Sequence, residues 1–224
     1  MKDMNIESKH DYVDLGLSVK WATCNIGATK PEEPGDFYAW GEVKNKEGQD
    51  YSNYKYCKHD GSLESHLLSY SRPVNLFPCK YNIIDKYREL KIEDDVANIK
   101  WGEGWRVPTV SQLSELMNEC TWIPEVINNI CGFKVTSNKK EYENNSIFIP
   151  AVFNQKSVRF GTIVSGGYYW SSSIIPHESL PNKIPYSLAI SLFFRLVKDT
   201  KQIMDWGLVE YNRELGGLIR PIHL

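Results

Sequence analysis

The chain has 224 residues, 42% of them apolar and 24% charged, and a formal net charge of −2. That composition suits a globular protein with a sizeable core, and it excludes nucleic acids and anionic membranes as expected partners, since both need clustered Lys and Arg. No apolar run approaches the ~20 residues that span a bilayer, and the opening MKDMNIESKHDYVD has no apolar signal-peptide core.

Residues 1–11 are polar and are expected to be frayed, with a single domain over 12–224. Two short runs, 12–15 and 19–24, flank Gly16 and read as a hairpin or a bent strand pair. GDFYAWGEV, residues 35–43, reads as a further strand, and 44–80 as a long surface excursion whose tyrosines could supply its packing. EDDVANIKWG, residues 93–102, places acidic residues in a first turn and Gly at the end, which predicts a short helix. A second helix follows over 110–119: Thr109 and Gln112 form a capping box, Pro108 blocks backward extension, and Leu113, Leu116, Met117 and Cys120 share one face. From there the period changes to two, with strands expected in CGFKVTS, SIFIPAV, VRFGTI, GGYYWSSS, YSLAISLFF, KQIMDWGLV and GGLIRPIHL. Two short helices followed by many strands place the chain in the α+β class with a mostly antiparallel sheet and long loops.

Residue patterns that carry chemistry are sparse. The five cysteines (Cys24, Cys57, Cys79, Cys120, Cys131) contain no CxxC pair, so neither a disulfide framework nor a zinc site is signalled, and Cys24 and Cys120 are expected as buried thiols. Cys57, His59 and His66 are better read as solvated loop residues than as a metal cluster. There is no GxSxG elbow and no P-loop. Glu93, Asp94 and Asp95 read as a solvated helix cap rather than an acid/base pair. Trp21, Trp40, Trp101, Trp105 and Trp170 are expected in the core, whereas Asp205, Trp206, Tyr211 and Asn212, around Gly207, are the candidate ligand-binding residues.

The order YVDLGLSVKWATCNIGA, GDFYAWGE, KYN, DDVANIKWGEGWRVPT, CTW, NSIFIPA, GGYYWSSS and a terminal IRPI strongly resembles the Fibrobacter succinogenes major paralogous domain family. The resemblance covers nearly the whole chain. It implies a fold similar to C-type lectins and the formylglycine-generating enzyme: two helices, a twisted antiparallel sheet, and N- and C-terminal strands side by side. It also implies a bacterial surface or secreted protein with a role in adhesion or ligand binding. Trp105, Arg106, Pro108, Thr109 and Gln112 then brace the entry to the second helix, and Arg220 belongs to the terminal motif. A calcium-dependent sugar site is not carried over, because Leu180 precedes Pro181-Asn182 and Gly207 follows Trp206. Nor is oxidase chemistry, because the last cysteine is Cys131.

The resulting expectation is a non-enzymatic module, without cofactor or metal, that binds a glycan or protein through loops between residues 165 and 215. An enzyme of unknown hydrolytic type and a structural domain of a cell-surface assembly are the alternatives.

Overall fold

The computed structural model of the chain describes residues 10–45, 54–58, 77–78, 80–81, 85–157, 162–174, 188–197 and 200–224. Residues 1–9 and the side chains of Cys57, His59 and His66 lie outside that description, as does Leu180-Pro181-Asn182. His10 and Asp11 are not frayed as expected: His10 stacks on Trp101 with ring centroids 3.9 Å apart, and the Asp11 carbonyl accepts from the Thr23 amide at 3.0 Å.

The first hairpin forms as read. β1 (Tyr12–Val13) pairs antiparallel with β2 (Lys20–Ala22), and the turn passes through Gly16 at φ +69°. Residues 35–43, by contrast, do not form a strand. Gly35 and Gly41 take left-handed φ of +72° and +76°, and between them the backbone makes one isolated bridge, Tyr38 with Gly217. Tyr38, Ala39 and Trp40 are all buried, so the segment lacks the two-sided alternation of a strand and threads through the interior.

β3 (Cys57–Lys58) and β4 (Phe77–Pro78) pair with each other. Tyr54 and Tyr56, expected on a surface excursion, are each only 3% exposed, and Tyr81 is fully buried. These tyrosines pack into the main body of the protein.

The predicted helix over 93–102 splits. A 3₁₀ turn, Ile92–Asp94, is followed by α1 (Val96–Trp101), because Asp95 takes extended backbone and caps the helix with its carboxylate. Asp94 and Asp95 are each 2% exposed, which corrects the expectation of a solvated cap. β5 (Trp105–Arg106) leads into α2 (Val110–Glu119), whose capping box is present in both directions: Gln112 N to Thr109 Oγ1 at 3.2 Å and Thr109 N to Gln112 Oε1 at 2.8 Å. Leu113 and Leu116 are buried on the inner face of α2.

α2 runs directly into β6 (Cys120–Ile127), a strand not among those expected; it contains Pro124, and as an edge strand it tolerates the missing donor. Asn128 and Asn129, at φ +48° and +65°, form the tight turn into β7 (Ile130–Ser137), which pairs with β8 (Ser146–Pro150). A four-stranded antiparallel sheet follows, made of β9 (Phe153–Ser157), β10 (Thr162–Ile174), β11 (Leu188–Val197) and β12 (Ile203–Asn212), in the order β12-β11-β10-β9. The chain closes with β13 (Ile222–His223), inserted between β2 and β5 in the order β1-β2-β13-β5. The two terminal strands therefore share a sheet, with β2 between them rather than in direct contact.

Two apolar clusters organise the interior. One joins α2, the β6–β8 sheet and one face of β10–β12 through Leu116, Phe133, Val135, Tyr169, Leu192 and Phe194. The other gathers Tyr38, Trp40, Tyr54, Tyr56, Tyr81, Trp105 and Trp170. Trp21, Trp40, Trp105 and Trp170 are at most 1% exposed, and Trp101 is half-buried. Burial of each such ring is worth on the order of 2–3 kcal/mol. Cys24, Cys120 and Cys131 are buried free thiols.

Candidate functional site

In a sheet, successive residues alternate faces and directly opposed residues share one. In β9–β12, Phe153 opposes Gly166, which opposes Arg195, which opposes Asp205; Tyr168 opposes Phe193, which opposes Gly207. These residues and Tyr211 lie on one face, while Tyr169, Leu192, Phe194 and Leu196 point the other way into the first core. The core thus fixes the register that aligns the opposite face.

That face is an aromatic ledge. Tyr168 and Tyr211 stack with centroids 4.0 Å apart and planes 10° apart, Phe193 lies 4.5 Å from Tyr168, and Phe153 lies 6.0 Å from it on the other side. Tyr211 reaches across β11 because its neighbours there, Ala189 and Ser191, are small, and it also meets Trp170 at 5.2 Å. The ledge rings are half-buried, so their rims reach solvent. Two glycines keep the face open. A side chain at Gly166 would strike the Phe153 ring and the Phe194 carbonyl, whereas Gly207 faces open space beside Phe193.

At one end of the ledge Arg195 grips Asp205 through two parallel bonds, Nε to Oδ1 at 2.9 Å and Nη2 to Oδ2. The guanidinium lies 5.6 Å above the Phe193 ring. Burial raises the pKa of the Tyr168 hydroxyl, against the lowering effect of the nearby Arg195 charge, so the hydroxyl stays protonated at neutral pH. Phe37, Val152 and Gly216 complete a cleft of about 320 Å³ with the ledge residues.

Of the four candidate ligand-binding residues, the fold brings Asp205 and Tyr211 to this face and sends Trp206 and Asn212 to the other. All four lie on a regular strand rather than on loops. Trp206, 42% exposed, tilts against Trp122 at 5.6 Å. Phe153, Tyr168, Phe193 and Arg195 were missed. The signals available were an Arg inside the apolar run SLFFRLV and an Asp in the next strand, which become a pair only once the register is known.

The entry to α2 is held by the Thr109–Gln112 capping box and by contacts from outside it. Asp95 accepts the Val107 amide, Pro108 O accepts from Ser172 N at 2.7 Å, and Ser173 Oγ accepts from Val110 N at 3.0 Å. Trp105 is buried in the second core, and Arg106 reaches back to the Trp105 carbonyl at 2.6 Å. Arg220 is 2% exposed and donates to Asn25 Oδ1 and to the carbonyls of Ala22, Thr23 and Phe148.

Asp94 and Asp95 have no free face for acid/base work. Asp94 takes hydrogen bonds from Lys80, Lys55 at 3.0 Å and Tyr81 at 2.6 Å, and Asp95 is filled by backbone amides. Among the described residues no group of three or more His, Cys, Asp or Glu is placed to hold a metal ion, and no helix is long and apolar enough to cross a membrane. No family model, no curated protein and no solved structure matches this chain.

Proposed function

We propose that this chain is a non-enzymatic, lectin-like binding module of a bacterial surface or secreted protein, and that it recognises a glycan on the ledge formed by Tyr168, Phe193, Tyr211 and Phe153. One observation carries the reading: stacked, rim-exposed rings beside a fixed Arg195–Asp205 pair, on a sheet face that borders the second core and is backed by the first. The C–H face of a sugar ring packs on an aromatic surface, and its hydroxyls need donors and acceptors held at the rim. The cleft of about 320 Å³ suits one or two such rings, whereas a stable protein partner would cover on the order of 1,000 Å².

The test is affinity electrophoresis of the full chain in gels cast with soluble polysaccharides, comparing the wild type with Tyr168→Ala. Retardation that falls about tenfold in the variant supports the reading. Equal mobility of the two proteins in every gel rejects it.

A further inference from the structure

Among the described residues lining the cleft, Arg195 is the one charged side chain, and its charge is already matched by Asp205. We infer that the ledge selects neutral sugar chains and rejects acidic ones such as polyuronates, an inference that rests on the glycan reading above.

An incoming carboxylate would have to displace Asp205 from the guanidinium or sit beside it, with two like charges sharing one cation. A neutral hydroxyl has no such conflict. The bidentate grip uses Nε and Nη2, so Nη1 is not part of the pair, and each Asp205 oxygen keeps acceptor capacity beyond the bond it receives. The pair therefore offers donor and acceptor side by side, the complement of vicinal hydroxyls. Both side chains are about two-fifths exposed, 39% for Arg195 and 41% for Asp205, so they can be reached without rearrangement. The rest of the described lining, Phe37, Val152, Phe153, Tyr168, Phe193, Tyr211 and Gly216, adds no charge. Gly207, with open space where a side chain would stand, leaves the flank of Phe193 uncovered for a ring to approach. The same pairing argues against a polynucleotide, whose phosphates would find no uncompensated cation among the described lining residues.

The experiment uses gels cast with hydroxyethylcellulose, galactomannan or arabinoxylan as neutral polymers and polygalacturonate as the acidic one. Expected are retardation of the wild type by at least one neutral polymer and none by polygalacturonate. Asp205→Asn, which leaves the guanidinium uncompensated, gains about three- to fivefold in retention on polygalacturonate. Arg195→Gln loses neutral retention and gains none on the acidic polymer, and matching thermal melts show that both variants are folded. Wild-type retention on polygalacturonate, or no gain in Asp205→Asn, overturns the charge selection while leaving the glycan reading in place. No retention in any gel overturns both.

Discussion

Asp95 and Val107 are joined by a buried hydrogen bond, carboxylate to amide, at 3.0 Å. The same carboxylate accepts from Ala97 N at 2.9 Å and Asn98 N at 3.2 Å, so one side chain caps α1 and fixes the strand that leads into α2. Asp95→Ala is expected to lower the unfolding free energy by about 3 kcal/mol, the loss of a cap plus a buried amide left without acceptor. Urea denaturation measures it; a change below about 1 kcal/mol would remove Asp95 from this role.

Asp94 sets an acid limit on the fold. Burial alone would push its carboxyl up, but hydrogen bonds from Lys80, Tyr56, Tyr81 and Lys55 outweigh it and hold the group well below the usual carboxylate range. A carboxyl depressed in the folded state contributes stability that is full above its unfolded value of about 3.9 and is lost as pH falls toward the folded value. The difference in urea midpoint between wild type and Asp94→Asn, followed from about pH 6 down to about pH 2, should therefore shrink below about pH 4. A constant difference across that span contradicts the assignment.

Arg220 carries its charge inside the protein on neutral oxygens, and burial pushes its pKa down to about 10. Its planar fork reaches Asn25 and the Ala22 and Thr23 carbonyls on one side and Phe148 on the other. Arg220→Lys keeps the charge but not the fork, and is expected to cost about 3 kcal/mol through orphaned acceptors. Thermal unfolding at matched pH is the check, and a melting temperature like the wild type's refutes it.

Gly217 and Gly102 separate two kinds of glycine. A Cβ at Gly217 would stand 2.6 Å from Trp170 Nε1, which donates to Tyr38 O at 2.7 Å. Gly217→Ala should cost about 2–3 kcal/mol by displacing that indole. Gly102, at φ +96° and ψ −170° with open space around it, should cost about 1–3 kcal/mol on replacement by Ala, from backbone conformation alone. Guanidinium denaturation measures both, and a loss below about 1 kcal/mol in Gly217→Ala would mean that the indole moves freely.

Trp206 tests the face assignment. Trp206→Ala should leave polysaccharide retention at the wild-type level, since the side chain projects away from the ledge toward Trp122, while costing about 1 kcal/mol of stability. Loss of retention matching that of Tyr168→Ala would place the site on the opposite face.

The features legible in the sequence are those set by local chemistry. Thr109 and Gln112 specify a helix start whatever surrounds them, and the alternation in YSLAISLFF marks a strand wherever it pairs. What could not be read depends on partners far along the chain. Tyr168 and Tyr169 are adjacent and chemically alike; only pairing with Phe193 and Leu192 sends one to the ledge and the other to the core. GDFYAWGEV has strand-like composition, yet the Tyr38 and Trp40 amides go singly to the carbonyls of Gly217 and Arg213, which lie near the end of the chain. Asp94 and Asp95 resemble a solvated cap until Lys55, Lys80 and Val107 are placed around them.

The pairing of Cys57 with Pro78 and of Lys58 with Phe77 brings the chain back to the point it left, and Asp94 anchors Lys55 before the departure and Lys80 after the return. The interval therefore has its two ends side by side on the scaffold. Doubling its length costs only about 0.6 kcal/mol in closure entropy. Both ends of the span between Lys58 and Phe77 are thus pinned by one strand pair and one carboxylate, so the cost of closing the loop is set at its base rather than by its length.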